Sequence, residues 1–311
     1  MPNVTLKNRS QVFGYYDHNM MVMFERVGDH LSNKSKYTPR QRLWYIRAKE
    51  TILSTGSIER PIVFGNNDTP GVVLSSAAKE YMKVYGVLVG RKPIIFTNND
   101  SAYETAFEFK KNNVEPIILD TREEHDSEVV QEAKNKGIQI KFSYGVIVAN
   151  GYKKVKSAKI GKLTKDKKSF ESTETINCDC ICVSGFWTPT VHLASQSGNK
   201  LKFDEKIDAF IPDKSKQNEK TIGSANGSFT LQETIESGFK TGSELSSKIT
   251  DKNNENKIPK VTETKYSVHD KFWCMPLPKN ENPKRFVDFQ NDVAVSAVSY
   301  THLRAHETYP H

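Results

Sequence analysis

Cysteine is scarce in this chain: four residues in 311, three of them crowded at Cys178, Cys180 and Cys182. That is not the spacing of a secreted disulfide framework, and a chain this long can bury its cores without covalent staples. A reducing, cytoplasmic setting is expected. Because the three cysteines alternate, they are expected to share one face of a strand as small buried thiols. No second cysteine or histidine pair stands at ligand spacing nearby, which argues against a metal site. Long apolar runs are also missing. Nothing approaches the roughly 18 residues of a membrane-spanning helix, and the opening MPNVTLKNRS lacks the charged-then-apolar order of a signal peptide. The formal charge is +8, yet 35 of the 45 basic residues are lysine and acidic residues are scattered among them. A nucleic-acid face would segregate its basic residues, so solvated hairpins and linkers are expected, with no nucleic-acid or membrane partner.

What is present is an alternation of strand and helix signals. QRLWYIRAKETILSTGS alternates, turns apolar and stops at Ser54-Thr55-Gly56-Ser57, as a strand entering a core does. GNNDTPG, residues 65 to 71, is dense in turn residues, and VVLSSAAKEYMKVYGV after it has helical spacing that ends near Gly86. A strand at 93 to 97, a helix at about 101 to 112, the apolar strand EPIILDT and a helix through SEVVQEAKNKG make a βαβα run, which implies parallel strands with helical crossovers. Residues 138 to 170 change to short alternating strands with Asn-Gly and Gly-Lys punctuation, an antiparallel meander laid onto the parallel unit. CDCICVSGF closes that unit. TIGSANGSFTLQETIESGFKTG reads as strand, tight turn and helix, and the polar stretch after Gly242 reads as a linker.

One strand-turn-helix, PIIFTNNDSAYETAFEF, sits where a nucleotide-binding unit would cradle a phosphate, yet its turn has no glycine. Asn98 and Asn99 lead to Asp100 or Ser101 as the expected helix N-cap, and Ala102 is small enough for close approach. Asp120 ends the next strand about 20 residues on, the place of a ribose-binding acid. Arg122 beside it could instead serve a 2′-phosphate. Without glycines the backbone is kept from a pyrophosphate, and Asp100 would repel it. Two readings therefore stand together: a dinucleotide site built on Asn98, Asp100, Ser101, Ala102 and Asp120, or a capped βαβ unit that holds nothing. Asp17 and His18 in YYDHN likewise admit an acid-base pair or, with no nucleophile near, a turn. Trp187 and His192 follow a strand end and suit either an interdomain cleft or plain aromatic packing.

The stretches GYYDHN, PRQRLWYIRAKETILSTGSIERPIVFGNNDTPGVVLSSAAKEYMKVYGV, FTNNDSAYETAFEF, VSGFWTPTVHLASQSG, GSANGSFTLQETIESG and FVDFQNDV together resemble the alpha subunit of heterotetrameric sarcosine oxidase, from about residue 1 to 296. The resemblance implies an α/β fold: two nested FAD/NAD(P)-binding Rossmann-like domains of the disulfide-reductase type, incomplete at the N-terminus, with an antiparallel meander. On that basis residues 1–60 are the C-terminal part of a first dinucleotide-binding domain, 61–188 an inserted NAD-binding-like domain, and 189–245 the return to the first. Residues 246–260 are then a linker and 261–296 the start of a segment leading to a folate-type domain. The family's subunit begins well upstream with a ferredoxin-like segment and a glycine-rich motif, which makes this chain an internal piece that should turn nothing over alone.

The resemblance also implies an oxidoreductase complex that oxidatively demethylates sarcosine (N-methylglycine) to glycine, with beta, gamma and delta subunits as partners. NAD or NADP would be held by this subunit, FAD or FMN in the beta subunit or at the interface, and tetrahydrofolate in the further C-terminal domain. The alternative it leaves open is a non-catalytic nucleotide-binding scaffold of a related opine, proline or N-methyl amino-acid oxidase. Residue by residue, Ser54-Thr55-Gly56 resembles the Ala-Thr-Gly strand end that touches the dinucleotide, and Glu59-Arg60-Pro61 starts the crossover. GSANG, with Gly223 and Asn226, resembles the return motif but lacks the aspartate that flavin-binding relatives use. A nicotinamide dinucleotide is therefore expected there rather than flavin.

The final AVSYTHLRAHETYPH places His302 and His306 at i, i+4 with Glu307 adjacent, a zinc-capable spacing on a helix. The back-translation of SYTHLRAHET reads as a sequencing adaptor in frame, so residues 297–311 are expected to be foreign to the fold.

Overall fold

The strand Pro93–Thr97 is buried at every position, as a run of five residues without alternation requires when both faces of its sheet are covered. The computed structural model, which describes residues 3–250, 257–261 and 269–298, places this strand at the centre of a five-stranded sheet. The order is Val72–Leu74, Cys180–Ser184, Pro93–Thr97, Ile117–Asp120, Gln139–Phe142, and every pairing is parallel. Ile95 faces one apolar cluster and its neighbours Ile94 and Phe96 face another. The first cluster lies under the helices Ser75–Tyr85, Tyr103–Lys111 and Glu128–Asn135, through Ala78, Ala106, Phe109 and Val130. The second is closed by an antiparallel meander of Tyr144–Gly151, Val155–Leu163 and Phe170–Asn177, whose Val146, Ile147 and Ile160 are wholly buried. The βαβα run and the meander are thus one three-layer unit, formed by the described residues within Glu59–Trp187 and Thr264–His311.

Local chemistry departs from expectation in three places. The stretch from 72, expected to be helical, first contributes the edge strand Val72–Leu74. The helix starts at Ser75 and stops at Gly86, whose left-handed φ of 64° lets its N–H reach the Tyr81 carbonyl. Cys178 does not share a face with Cys180 and Cys182. It lies ahead of the strand and enters the meander-side core, whereas Cys180 and Cys182 point to the helices with their Sγ atoms 3.6 Å apart. The chain bends at Asp179, whose carboxylate accepts from the N–H groups of Arg91 and Lys92, and this breaks the alternation. Burial pushes the Cys178 thiol up to about 12, as an inert buried thiol requires.

The other unit comprises the described residues within Met1–Ile58 and Thr188–Glu263. It holds an antiparallel sheet of Ser10–Tyr16, Met20–Arg26 and Gln41–Arg47, a hairpin of Lys200–Asp204 with Ala209–Lys214, and a parallel pair of Thr51–Leu53 with Glu219–Thr221. Asp17 and His18 form an exposed turn, with His18 at φ 61° and Asn19 at φ 51°. Buried Asn19 accepts from the Tyr15 hydroxyl and donates to the Lys49 and Asn218 carbonyls, so YYDHN ties strand ends together. The helix Leu231–Thr250 runs 20 residues and overrides the linker expected from 246. The segment expected to lead onward from 261 instead packs, over its described residues 269–298, into the three-layer unit. The tail beyond 298, with His302 and His306, lies outside the described residues.

Phe96 is fully buried and meets Phe64 edge to face at 5.8 Å. Phe96→Ala is expected to cost about 3–5 kcal/mol, read from urea unfolding. Tyr45→Ser, at a site 71% exposed, should change stability by no more than about 0.5 kcal/mol.

Candidate functional site

Ligands of parallel α/β units sit beyond the carboxyl ends of the strands. Each unit has one such edge, and the sequence-predicted residues fall into two groups accordingly.

In the Met1–Ile58 and Thr188–Glu263 unit, Leu53 pairs with Thr221, and the Ile222 N–H donates to the Leu53 carbonyl at 2.9 Å. The two strand ends are therefore adjacent, with Thr55 and Gly56 following one and Gly223 and Asn226 following the other. The first turn is pinned: Thr55 Oγ1 donates to the Thr190 carbonyl at 2.7 Å, and the Thr190 N–H donates to Gly56 O at 3.0 Å. Gly56 has φ 76° and open space where a side chain would lie. Gly223, at φ 66°, opens a 3-10 turn to Asn226, and Gly227, at φ 82°, closes it. The long helix follows with a capping box: the Glu233 N–H donates to Thr230 Oγ1, and the Thr230 N–H donates to the Glu233 carboxylate. GSANGS carries no carboxylate. Left-handed glycines, open space at Gly56 and absence of acid suit close approach of a pyrophosphate.

The three-layer unit treats its strand ends differently. Asn99, not Asp100 or Ser101, caps the turn, its Oδ1 accepting from the Ser101 N–H at 3.0 Å and the Ser101 hydroxyl at 2.6 Å. Trp187 Nε1 donates to the same Ser101 hydroxyl at 3.0 Å. His192 stands in the other unit, opening the short helix His192–Gln196. Ala102 is buried in the helix-side core. Asp120 is fully buried: its carboxylate accepts from the Arg122 N–H and Nε at 3.0 and 2.9 Å, from Arg122 Nη2 at 2.7 Å and from the Tyr103 hydroxyl at 2.9 Å. Arg122 Nη2 also lies 2.8 Å from Asp100 Oδ1, and His125 Nε2 lies 3.5 Å from the same oxygen. Burial works against the Arg122 charge, but Asp120 and Asp100 hold its pKa above the ordinary range. Burial, with the Asp120 charge, pushes the Tyr103 hydroxyl up as well.

Asp120 and Asp100 are thus committed to an internal guanidinium, and neither presents a carboxylate to a ribose diol or a 2′-phosphate. The expectation for Asp100 and Asp120 is corrected on that ground, since both carboxylates are buried against one guanidinium, and Asn98 is corrected separately because its amide donates to the carbonyls of Asp270 and Phe272. The sequence signal was available in part. An arginine two residues after a strand-end aspartate, with Tyr103 three after Asp100, is compatible with a closed cluster, but nothing local decides whether the cluster faces in or out.

Glu59, at the crossover, is buried and caps the helix Ser75–Tyr85, accepting at one oxygen from the Ser76 N–H at 2.7 Å and hydroxyl at 2.6 Å. Burial raises its pKa from 4.5 despite those bonds.

The fold is that of FAD/NAD(P)-dependent enzymes of the disulfide-reductase type. L-proline dehydrogenase from P. horikoshii aligns over 95% of this chain and 52% of its own, at TM-score 0.56 and 18% identity. Thioredoxin reductase from Lactococcus lactis aligns over 78% and 75%, at 0.56 and 13%, and that from T. acidophilum over 68% and 70%, at 0.53 and 18%. Within that class the chain is sarcosine oxidase alpha-like. It is 31% identical to sarcosine oxidase subunit alpha of Rhizobium meliloti (strain 1021) over 318 aligned residues, covering 100% of this chain. To sarcosine oxidase subunit alpha of Corynebacterium sp. (strain P-1) it is 30% identical over 298, covering 93%. The chain spans about 30% of the length of these curated relatives. No family model matches it. No helix among the described residues is long and apolar enough to cross a membrane.

Arg122→Ala leaves two buried carboxylates without their cation and is expected to cost about 3–5 kcal/mol in urea unfolding. A loss under about 1 kcal/mol would show the cluster to be screened by water like a surface pair. Glu59 gives a pH signature. Its folded pKa is raised, so the folded state binds more protons, and stability falls as pH rises from 4.5 through the folded value. The stability of wild type relative to Glu59→Gln should therefore decline over that window and level off above it. A flat difference across pH 4.5 to 8 would contradict the burial assigned to Glu59.

Proposed function

We propose that this chain is the dinucleotide-binding and scaffolding part of an oxidoreductase complex that oxidatively demethylates sarcosine to glycine, using flavin, oxygen and tetrahydrofolate. The observation that carries this reading is the likeness to sarcosine oxidase alpha subunits along 93–100% of the chain. The open turn at Gly56 and the acid-free glycine turn at 223–227 support it. Thr55, Gly56, Gly223 and Asn226 line a nicotinamide dinucleotide, NAD or NADP. When bound, that group supplies hydride-transfer chemistry. This chain's share is positional: backbone N–H groups at two left-handed turns receive the phosphates, and the Thr55–Thr190 hydrogen bonds keep the first turn from shifting. FAD or FMN belongs to the beta subunit or its interface, and tetrahydrofolate to a further C-terminal domain. Beta, gamma and delta subunits complete the assembly in the cytoplasm.

A second reading is a non-catalytic nucleotide-binding scaffold in a related opine, proline or N-methyl amino-acid oxidase. The internally consumed carboxylates Asp100 and Asp120 favour it, because they leave the three-layer unit nothing to offer a substrate. The intact alpha subunit, purified with its partners, separates the two. Sarcosine-dependent oxygen uptake together with release of NAD or NADP on acid treatment is expected. Oxygen uptake with proline or an opine but not sarcosine would favour the scaffold reading. Gly56→Val forces a branched side chain onto a left-handed residue, a strain of about 1–3 kcal/mol. It should weaken dinucleotide retention about tenfold or more, measured by calorimetry. Unchanged affinity would remove the 54–56 turn from the site.

A further inference from the structure

The parallel sheet of the three-layer unit has one switch point. From Pro93–Thr97 the chain winds outward through Ile117–Asp120 to Gln139–Phe142, while Cys180–Ser184 and Val72–Leu74 lie on the other side. The crevice between the ends of Pro93–Thr97 and Cys180–Ser184 is where such a sheet receives a ligand. Here it is crossed by a later part of the same chain.

Asn98, fully buried at the end of the central strand, donates its side-chain amide to the carbonyls of Asp270 at 2.8 Å and Phe272 at 3.2 Å. The Asp270 N–H donates back to Asn98 O at 3.0 Å. Beyond the neighbouring strand, the His269 ring stacks on Phe186 at 4.1 Å, the planes 8° apart. The segment then docks beside 60–63: the Val63 N–H donates to Trp273 O, the Met275 N–H donates to Val63 O, and the Arg60 guanidinium lies 3.8 Å over the Trp273 ring. Phe272 and Met275 are buried in the meander-side core, and Lys167 pairs with the Asp270 carboxylate. Backbone hydrogen bonds, a ring stack and two core side chains anchor the segment in three places.

We propose that residues 269–275 are a built-in strap that fills the ligand crevice of the three-layer unit, so that this unit takes no dinucleotide. Asn98 is its principal clasp, and the Asp100–Arg122–Asp120 cluster closes the adjoining strand end. The strap replaces a ligand in structural terms as well: it satisfies the polar groups that a parallel strand end leaves exposed. The inference rests on the functional reading above only for its choice of probe.

Hydrogen exchange on the intact alpha subunit, with and without millimolar NAD or NADP, tests it. Amides of Asp270 and Met275 should exchange slowly in both states, and peptides over 97–103 should not respond to dinucleotide. Protection gained at 53–57 and 222–228 reports the other unit separately. Protection at 97–103 on adding dinucleotide, or fast exchange at 269–275 without it, overturns the strap. Slow strap exchange with no response anywhere sustains the strap and sinks the dinucleotide reading instead. Asn98→Ala should speed exchange at 269–275 about tenfold or more. Lys167→Ala, at a half-buried position that should leave the core intact, should do so at Asp270 to a smaller degree. Unchanged exchange in both variants overturns the assignment of the clasp.

Discussion

A guanidinium held away from water between two carboxylates governs the three-layer unit. Arg122 is only 8% exposed, and Asp100 and Asp120 still less. An unpaired charge in that position would cost several kcal/mol, so the three side chains are obliged to stay together. Asp100 opens the turn after the central strand, while Asp120 ends the next one and Arg122 follows it. Their pairing therefore fixes two strand ends against each other. The Tyr103 hydroxyl, donating to Asp120, extends the tie into the helix that crosses between them. The register of the crossover and the closure of its ligand edge come from the same cluster.

The two units meet one problem with opposite chemistry. A parallel strand that ends at a turn leaves backbone groups needing partners. At 54–56 and 223–227 the answer is glycine in left-handed conformations, with open space beside Gly56. At 98–102 it is Asn99, whose side chain caps the turn, and Asn98, whose amide donates to the carbonyls of Asp270 and Phe272. One solution leaves room for a phosphate and the other removes it. The residues at the turns set that difference.

Much of this was legible in the sequence, because the period of apolar residues reports burial directly. PIIFT and CICVS announced strands of the parallel unit, 138–170 announced the meander, and the glycines of GSANG announced a tight turn. Three features were not legible, each for a physical reason. Cys178 left the face of its neighbours because Asp179 is recruited by the N–H groups of Arg91 and Lys92, 88 and 87 residues away in sequence. The edge strand Val72–Leu74 reads as helix locally, and only pairing with Cys180–Ser184 makes it a strand. The helix past 246 is polar enough to pass for a linker, and ion pairs such as Lys248 with Glu50 help hold its end.

By itself, then, the amino-acid order determined the layers: which segments alternate, which are buried on both faces, where chains turn, and that parallel strands with helical crossovers form the core. Local pattern suffices for that, since periodicity and turn chemistry act over a few residues. Only the tertiary structure decided which of the two strand-end edges is open. That choice depends on Arg122 swinging inward to Asp100 and on residues 269–275 reaching Asn98 across more than a hundred and fifty positions of chain. Both are contacts whose energy comes from shared burial, and burial is a property of the assembled unit rather than of any stretch of sequence.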